Sequence, residues 1–245
     1  MTRQQFLDGF FLQYDEINTY GAPGFDPNMI ESMASTVQEN LIVLKYSSTS
    51  NRLQEGFEET EKRTQDLGEL VKYQSFSTFG TGYFDNSVTV TLPNTLLTSS
   101  IDYSDVFWIP IYESVVTGTR NCANTGYVRA RVEPAKSGPL DILLQDPFNK
   151  PYLKNDKAKV LRLRSENRIH TLITDGTFAI TTYQLGYIKK PTPIVLTSSL
   201  TSPVSQLSDM MNRELLNETV KFALANSREQ QQLLVENQPK IINNE

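Results

Sequence analysis

Two prolines interrupt a strand-like run near the end of the chain, Tyr183–Leu196, and this run restricts the fold more than any other feature. Pro191 and Pro193 lack the backbone donor that a central strand needs, so we expect the run at a sheet edge or at its exit. An exposed edge can pair with another chain through backbone hydrogen bonds. We therefore predict a subunit interface here, made of Tyr187, Ile188, Lys189, Pro191, Pro193 and Ile194.

Helical patterns flank the middle of the chain. The clearest begins with Asp26 as a cap and Pro27 at the first helical position, followed by an apolar stripe, and it predicts a helix over Asn28–Lys45. A weak capping box at Thr2 and Gln5 begins an earlier helix. Two further helices are predicted, over Leu53–Val71 and Ser208–Gln232.

The residues between the helices alternate with a period of two, which is typical of half-buried strands. Val160–Arg164 shows the alternation, and Asp175 with Gly176 predicts a turn. The predicted fold class is α+β: a helical bundle formed by the N- and C-terminal helices, with an inserted antiparallel β-rich region. The predicted parts are an N-terminal helical part (1–72), the β-rich insertion (73–205) and a C-terminal helix with a polar tail (206–245).

Composition argues against the common kinds of catalytic and metal site. The 245 residues include one histidine, His170, and one cysteine, Cys122, so zinc sites of the usual ligand sets are excluded. We expect His170 to have a core or sheet-surface role. Asp102, Asp105 and Glu113 leave open a hydrolase with a carboxylate pair, but acidic residues before a strand are common. We predict no enzyme activity, no catalytic residues, no metal and no cofactor.

Charge is distributed unevenly along a chain of net charge −5. The N-terminal helical part is acidic and the β-rich insertion is mildly basic, so neighbouring copies could attract one another. A channel-lining or acidic-partner surface is predicted at Lys157, Lys159, Arg162, Arg164 and Arg168, although strand alternation alone would also place basic residues there. Phe148 and Tyr152, in a loop fixed by prolines, are predicted as further interface residues.

Several segments together resemble virion structural proteins of tailed phages, particularly the crAss-like group. The segments are Phe10–Leu12 with Tyr14, Gly24–Asp26, Asp146–Phe148 with Lys150 and Pro151, Thr181–Leu196, and the helix Glu214–Asn226. The resemblance implies a homo-oligomeric ring in the head-to-tail connector or tail, around the channel through which DNA leaves. Neighbouring connector or tail proteins are expected as partners. The rather acidic balance of the chain argues against a strong DNA-lining role, so only non-specific contact with passing DNA is expected.

The expected location is the virion, after synthesis in the host cytoplasm, with no membrane partner, because no apolar run approaches the length of a membrane span. One alternative from another class stays open. Eleven tyrosines and a β-rich middle would also suit a carbohydrate-binding or adhesive module. Its candidate aromatic residues are Tyr103, Trp108, Tyr112 and Tyr127.

Overall fold

The computed structural model describes residues 1–17, 24–47, 61–93, 106–118, 128–154, 157–165 and 169–236. The chain divides into two compact units, one of Met1–Leu70 with Pro191–Glu245 and one of Val71–Lys190. The three-part division drawn from the sequence stays a prediction. No helix in the described ranges is long and apolar enough to cross a membrane.

The helices and strands are numbered in chain order. The helices are α1 (Arg3–Ile17), α2 (Pro27–Tyr46), α3 (Glu61–Leu67), α4 (Leu140–Gln145) and α5 (Asp209–Glu236), and a 3-10 turn covers Gly68–Leu70. The strands are β1 (Val71–Phe76), β2 (Gly80–Thr81), β3 (Ser87–Thr91), β4 (Phe107–Thr117), β5 (Val128–Ala135), β6 (Tyr152–Lys154), β7 (Lys157–Ser165), β8 (Ile169–Ile173) and β9 (Ile180–Lys189).

The starts of the first two helices follow from local sequence. At α1 the backbone N–H of Thr2 donates to Gln5 Oε1 (3.0 Å) and that of Gln5 donates to Thr2 Oγ1 (3.3 Å), which confirms the capping box. At α2 the Asn28 N–H donates to Asp26 Oδ1 at 3.0 Å, and the helix extends one residue beyond the predicted Asn28–Lys45 at each end.

An extended segment that follows β9 lies against α2. The Ile194 N–H donates to Ser35 Oγ at 3.0 Å, and the Leu196 N–H donates to Glu31 Oε1 at 2.6 Å. Ile194 and Leu196 are buried. Side chains of α2 thus satisfy backbone donors that Pro191 and Pro193 keep out of regular pairing.

The second unit is built on a nine-stranded mixed sheet. Its strand order is β1-β9-β4-β5-β7-β8-β3-β2, and β6 pairs with β7 beside this path. The pairs are antiparallel except β5 with β7, which is parallel. A parallel pair needs a long connection. Here α4 and β6 lie within that connection.

The two ends of the strand order are joined by a very short connection. Only three residues separate Phe76, at the end of β1, from Gly80, at the start of β2. Four Cα–Cα steps span at most about 15 Å, whereas eight strands laid flat would put these edges about 34 Å apart. The sheet must therefore curl until its edges approach each other.

The curled sheet packs on both of its faces. The larger cluster contains Val115, Val160, Leu172, Tyr183 and Leu185, with Phe76 and Phe107 packed against it. A second cluster joins Leu161, Leu163 and Ile173 to Leu140 of α4. The alternation along β7 therefore supplies apolar side chains to both faces, as expected for an interior strand.

The predicted fold class is wrong. The described residues form a sheet-rich fold with a mixed sheet rather than an antiparallel one, and no bundle of N- and C-terminal helices is shown. Where the long helix Leu53–Val71 was expected, the described part holds only α3, the 3-10 turn and the start of β1. The physical reason is that a stripe of apolar residues along a helix shows which face of the helix is buried, but not which other part of the chain covers that face. An extended segment covers part of α2.

The prolines mark the exit of the sheet, not its edge. β9 lies between β1 and β4, so it is an interior strand, and it ends at Lys189, two residues before Pro191. Of the two positions expected for the run, the exit is therefore confirmed and the edge is not. A proline removes only its own backbone N–H from the strand pairing. The residues before it keep their N–H groups and can pair as in any interior strand.

Candidate functional site

A short loop after α4 presents the aromatic side chain of Phe148 to solvent. Phe148 is 86% exposed. Asp146 shapes the loop, because its Oδ1 accepts from the Phe148 N–H at 2.9 Å and its backbone oxygen accepts from the Lys150 N–H at 2.9 Å. The hydrogen bonds that the Asp146 carboxylate accepts, from the Phe148 N–H and from the Asn149 side chain, lower its pKa, so the carboxylate stays ionised at neutral pH. Pro151, which is buried, ends the loop.

An apolar groove lies between α2 and α5 in the other unit. Its volume is about 490 Å³, and Val37, Leu41, Leu44 and Phe222 supply its apolar lining. Glu214, Glu218 and Lys221 are on its rim. Two surface ion pairs flank it: Lys45 Nζ lies 2.9 Å from Glu214 Oε2, and Lys221 Nζ lies 2.6 Å from Glu218 Oε1.

The predicted interface residues fall into two environments. Tyr187, Ile188 and Lys189 are buried in β9, and Pro191 and Ile194 are buried in the segment that follows. Pro193 is exposed, as are Phe148 and Tyr152. The buried residues help to hold the chain together, so the parts of this set that another molecule can reach are Pro193, Tyr152 and the loop of residues 146–151, here called the Phe148 loop.

The predicted basic surface divides between the two faces of β7. Arg162 lies opposite Leu172 of the larger cluster, and Arg164 lies opposite His170. Lys157 and Lys159 alternate with the arginines and share the other face with Leu161 and Leu163. Lys159 Nζ is paired with Glu133 Oε2 at 2.6 Å. Arg168 lies outside the described residues.

Arg162 joins a buried polar network instead of a solvent-facing row. Its Nη1 lies 2.9 Å from Glu113 Oε1 and 3.4 Å from His170 Nε2, and His170 Nδ1 lies 2.9 Å from the Tyr183 hydroxyl. His170 and Tyr183 are fully buried. The His170 ring also meets the Phe107 ring edge-on, with centroids 5.6 Å apart. The expectation of a core role for His170 is confirmed.

Burial sets the charge states in this network. Burial lowers the pKa of His170 to about 3, helped by the charges of Arg162 and Arg164, so the imidazole is neutral at neutral pH. Burial also raises the pKa of Tyr183, and the nearby Glu113 carboxylate adds to that shift. The pKa of Glu113 is raised by burial, against the attraction of Arg162. Arginine only donates hydrogen bonds, so Nε2 accepts and Nδ1–H donates to Tyr183.

Of the carboxylates considered for catalysis, the structure describes only Glu113. Glu113 is held by Arg162, while Asp102, Asp105 and Cys122 are not among the described residues. Within the described part of the chain, no group of three or more His, Cys, Asp or Glu side chains could hold a metal ion.

Of the four aromatic residues considered for carbohydrate binding, the structure describes two, Trp108 and Tyr112. Tyr112 is 43% exposed and Trp108 is half-buried, whereas Tyr103 and Tyr127 lie outside the described residues. Tyr73, which the sequence did not single out, lies with Tyr112 around Gly186 of β9. This exposed pair covers a glycine, which lacks a side chain to protect the backbone.

The groove was missed in the sequence analysis. Leu44 belongs to the stripe that predicted α2, and the stripe gave no sign that it would stay partly exposed. Leu44 and Phe222 are each 38% exposed. Only the juxtaposition of α2 and α5 places them together.

Comparison with known proteins gives a consistent result. The chain is 24% identical over 238 residues to "Ring protein 4/5" of Bacteroides phage crAss001, covering 92% of this chain and 93% of that protein. It is 25% identical over 236 residues to "Ring protein 3" of the same phage, covering 91% and 95%. Residues 1–232 match the family described as phage tail ring protein 3/4. These are structural ring proteins rather than enzymes, and the resemblance to crAss-like virion proteins is confirmed: the chain belongs to the phage tail ring protein 3/4 family.

Proposed function

We propose that this chain forms a homo-oligomeric ring in the head-to-tail connector or tail of a phage particle, around the channel through which DNA leaves. The observation that carries the proposal is the family match over residues 1–232, nearly the whole chain. The protein acts by assembly, and its partners are copies of itself and neighbouring connector or tail proteins. Its location is the virion.

The charges of the two units support this proposal. The unit made of Met1–Leu70 and Pro191–Glu245 carries 18 acidic and 9 basic side chains, a net charge of −9. The unit Val71–Lys190 carries 10 acidic and 14 basic side chains, a net charge of +4. A ring is built when one surface of each copy meets a different surface of the next. Two units of opposite charge in one chain favour such an arrangement.

The size of the purified protein tests ring formation. We expect mass photometry to show one dominant multiple of the 27.8 kDa monomer, and electron microscopy to show closed rings. High salt should shift the population toward monomers, since charge attraction between exposed groups is screened. A protein that stays monomeric at all concentrations, at low salt and with its neighbouring tail proteins present, would contradict the proposal.

Contact with DNA in the channel is tested by binding to the assembled ring. We expect weak binding to double-stranded DNA that is the same for two unrelated sequences and falls as salt is raised. Fluorescence anisotropy of labelled duplexes measures it. Sequence-selective binding, or none at low salt, would remove DNA contact from the proposal and leave the ring itself standing.

A further inference from the structure

We propose that the Phe148 loop of one copy docks into the groove between α2 and α5 of the next copy. This inference rests on the proposed ring and names the contact that builds it. The side chains that meet are Phe148, with Lys150 beside it, and the groove residues Leu44, Phe222 and Glu218.

The loop has the properties of a preformed anchor. Phe148 is 86% exposed, so most of its side chain is available to another molecule. Asp146 accepts hydrogen bonds from the backbone of Phe148 and Lys150 and from the side chain of Asn149, and Pro147 restricts the chain further. A loop whose backbone is held before binding loses little conformational freedom on docking. Aromatic anchors of this kind dominate the energetics of protein interfaces.

The groove has the properties of the matching receptor. It is open, it holds about 490 Å³, and its apolar lining comes from two long helices that fix its width. Leu44 and Phe222 are each 38% exposed at its mouth. Pockets that receive an anchor combine such an apolar floor with a polar rim.

Charge complementarity identifies a second copy as the occupant. Lys150, Lys154 and Lys157 are exposed in the loop and the strands that follow it. The groove rim carries Glu214 and Glu218, within a unit whose net charge is −9. These two carboxylates are paired with Lys45 and Lys221, but partly exposed pairs are weak and can exchange partners. The loop belongs to the unit of net charge +4, so its contact with the unit of net charge −9 joins two different surfaces, as ring closure requires.

Disulfide trapping between two differently tagged chains tests the contact directly. Both chains carry Cys122→Ser, which removes the natural cysteine. One carries Phe148→Cys and the other Phe222→Cys, and they are mixed and mildly oxidised. We expect a covalent hetero-dimer between the two tags. The matched control replaces Phe148→Cys with Ile142→Cys, since Ile142 is also exposed (72%) but lies outside the loop.

Ring yield provides the second measurement. We expect Phe148→Ser to reduce ring yield about tenfold, because the anchor is lost, while Ile142→Ser leaves it unchanged. Lys150→Glu and Glu218→Lys should each weaken assembly, and the two changes mixed as separate chains or combined in one should restore part of it. Circular dichroism checks that every variant is folded.

The two experiments separate the contact from the ring. Rings of normal yield with Phe148→Ser, or no hetero-dimer above the Ile142→Cys control, would overturn the docking inference while the proposed function stands. Wild-type chains that never form rings would overturn the proposed function. The trapping experiment then still decides whether two copies meet through the loop and the groove.

Discussion

His170 and Tyr183 form a hydrogen bond inside the curled sheet, with 2.9 Å between His170 Nδ1 and the Tyr183 hydroxyl oxygen. Arg162 approaches the other ring nitrogen and is itself paired with Glu113. The four residues come from β4, β7, β8 and β9, so the network ties together strands that are far apart in sequence. Among the described residues Arg162 Nε has no hydrogen-bond partner, so it is the contacts of Arg162 Nη1 and of the imidazole that favour this arrangement of the strands.

Tyr183→Phe should destabilise the protein. The change leaves the Nδ1–H of His170 buried without an acceptor, which costs about 1–3 kcal/mol in the free energy of unfolding. Urea denaturation measures the loss. Tyr73→Phe is the matched control, because Tyr73 is 74% exposed and its hydroxyl is in water, so its effect should stay within about 0.5 kcal/mol. Equal effects of the two changes would argue against the network.

Stability should fall with pH because of His170. The pKa of His170 is lowered to about 3 in the folded protein, while a histidine in an unfolded chain has a pKa near 6.5. Between these values the unfolded chain binds the extra proton, so the free energy of unfolding falls as pH falls, by about 1.4 kcal/mol per pH unit. Glu113, with its raised pKa, acts in the opposite direction, so the effect of His170 must be isolated by comparison.

The comparison uses His170→Gln, which removes the titrating group. As the pH falls from about 7 to about 4, we expect the free energy of unfolding of the wild type to decrease steadily relative to that of His170→Gln. Urea titrations at each pH supply the values. A difference that does not depend on pH would show that His170 keeps its ordinary pKa in the folded protein.

Gly186→Ala should be destabilising, and the cost should depend on Tyr73. An added Cβ would lie 2.8 Å from Tyr73 Cε1 and 3.1 Å from Tyr112 Cβ. Overpacking of this kind costs about 1–3 kcal/mol. Removing the ring with Tyr73→Ala should recover part of the cost, while the contact with Tyr112 remains. A double-mutant cycle by urea denaturation reports the coupling, and additive effects would mean that the tyrosine ring does not cause the strain.

Glu31→Ala should loosen the segment that follows β9. Glu31 Oε1 accepts from the N–H groups of Leu196 (2.6 Å) and Thr197 (2.8 Å). Burial opposes ionisation, but these backbone hydrogen bonds outweigh it and lower the pKa of Glu31. Loss of the acceptor should cost about 1–3 kcal/mol in the free energy of unfolding.

Hydrogen exchange locates that loss. The amides of Leu196 and Thr197 should lose protection in Glu31→Ala before the rest of the chain does. Ser32→Ala, at the next and exposed position of α2, is the control and should leave both amides protected. Unchanged protection in Glu31→Ala would show that other contacts hold the segment.

Local signals in the sequence were reliable where the structure is local. Asp26 and Pro27 predicted the start of α2 correctly, because a cap and a first-turn proline act within a few residues. Asp175 and Gly176 predicted a turn, and Gly176 has a φ of +78°, a conformation that glycine adopts without strain. The loop at Phe148 was also selected for its prolines and aromatic residues; Phe148 is exposed, and its role at an interface stays a prediction.

Other features could not be predicted because they depend on distant partners. Alternation along β7 does not reveal that both faces are covered, so Arg162 and Arg164 were expected beside Lys157 and Lys159 instead of on the opposite face. The parallel pairing of β5 with β7 depends on the path of the connection between them. The groove depends on the placement of α5 against α2.

The sequence by itself determined where α1 and α2 begin, where the chain turns at Gly176, and where prolines stop a strand, because each of these depends on backbone geometry within a few residues. Tertiary structure alone decided the strand order, the curl that brings β1 toward β2, and the burial of Glu113 with Arg162. Those features arise from contacts between residues tens of positions apart. Their free energy depends on how the whole chain packs, which no local pattern records.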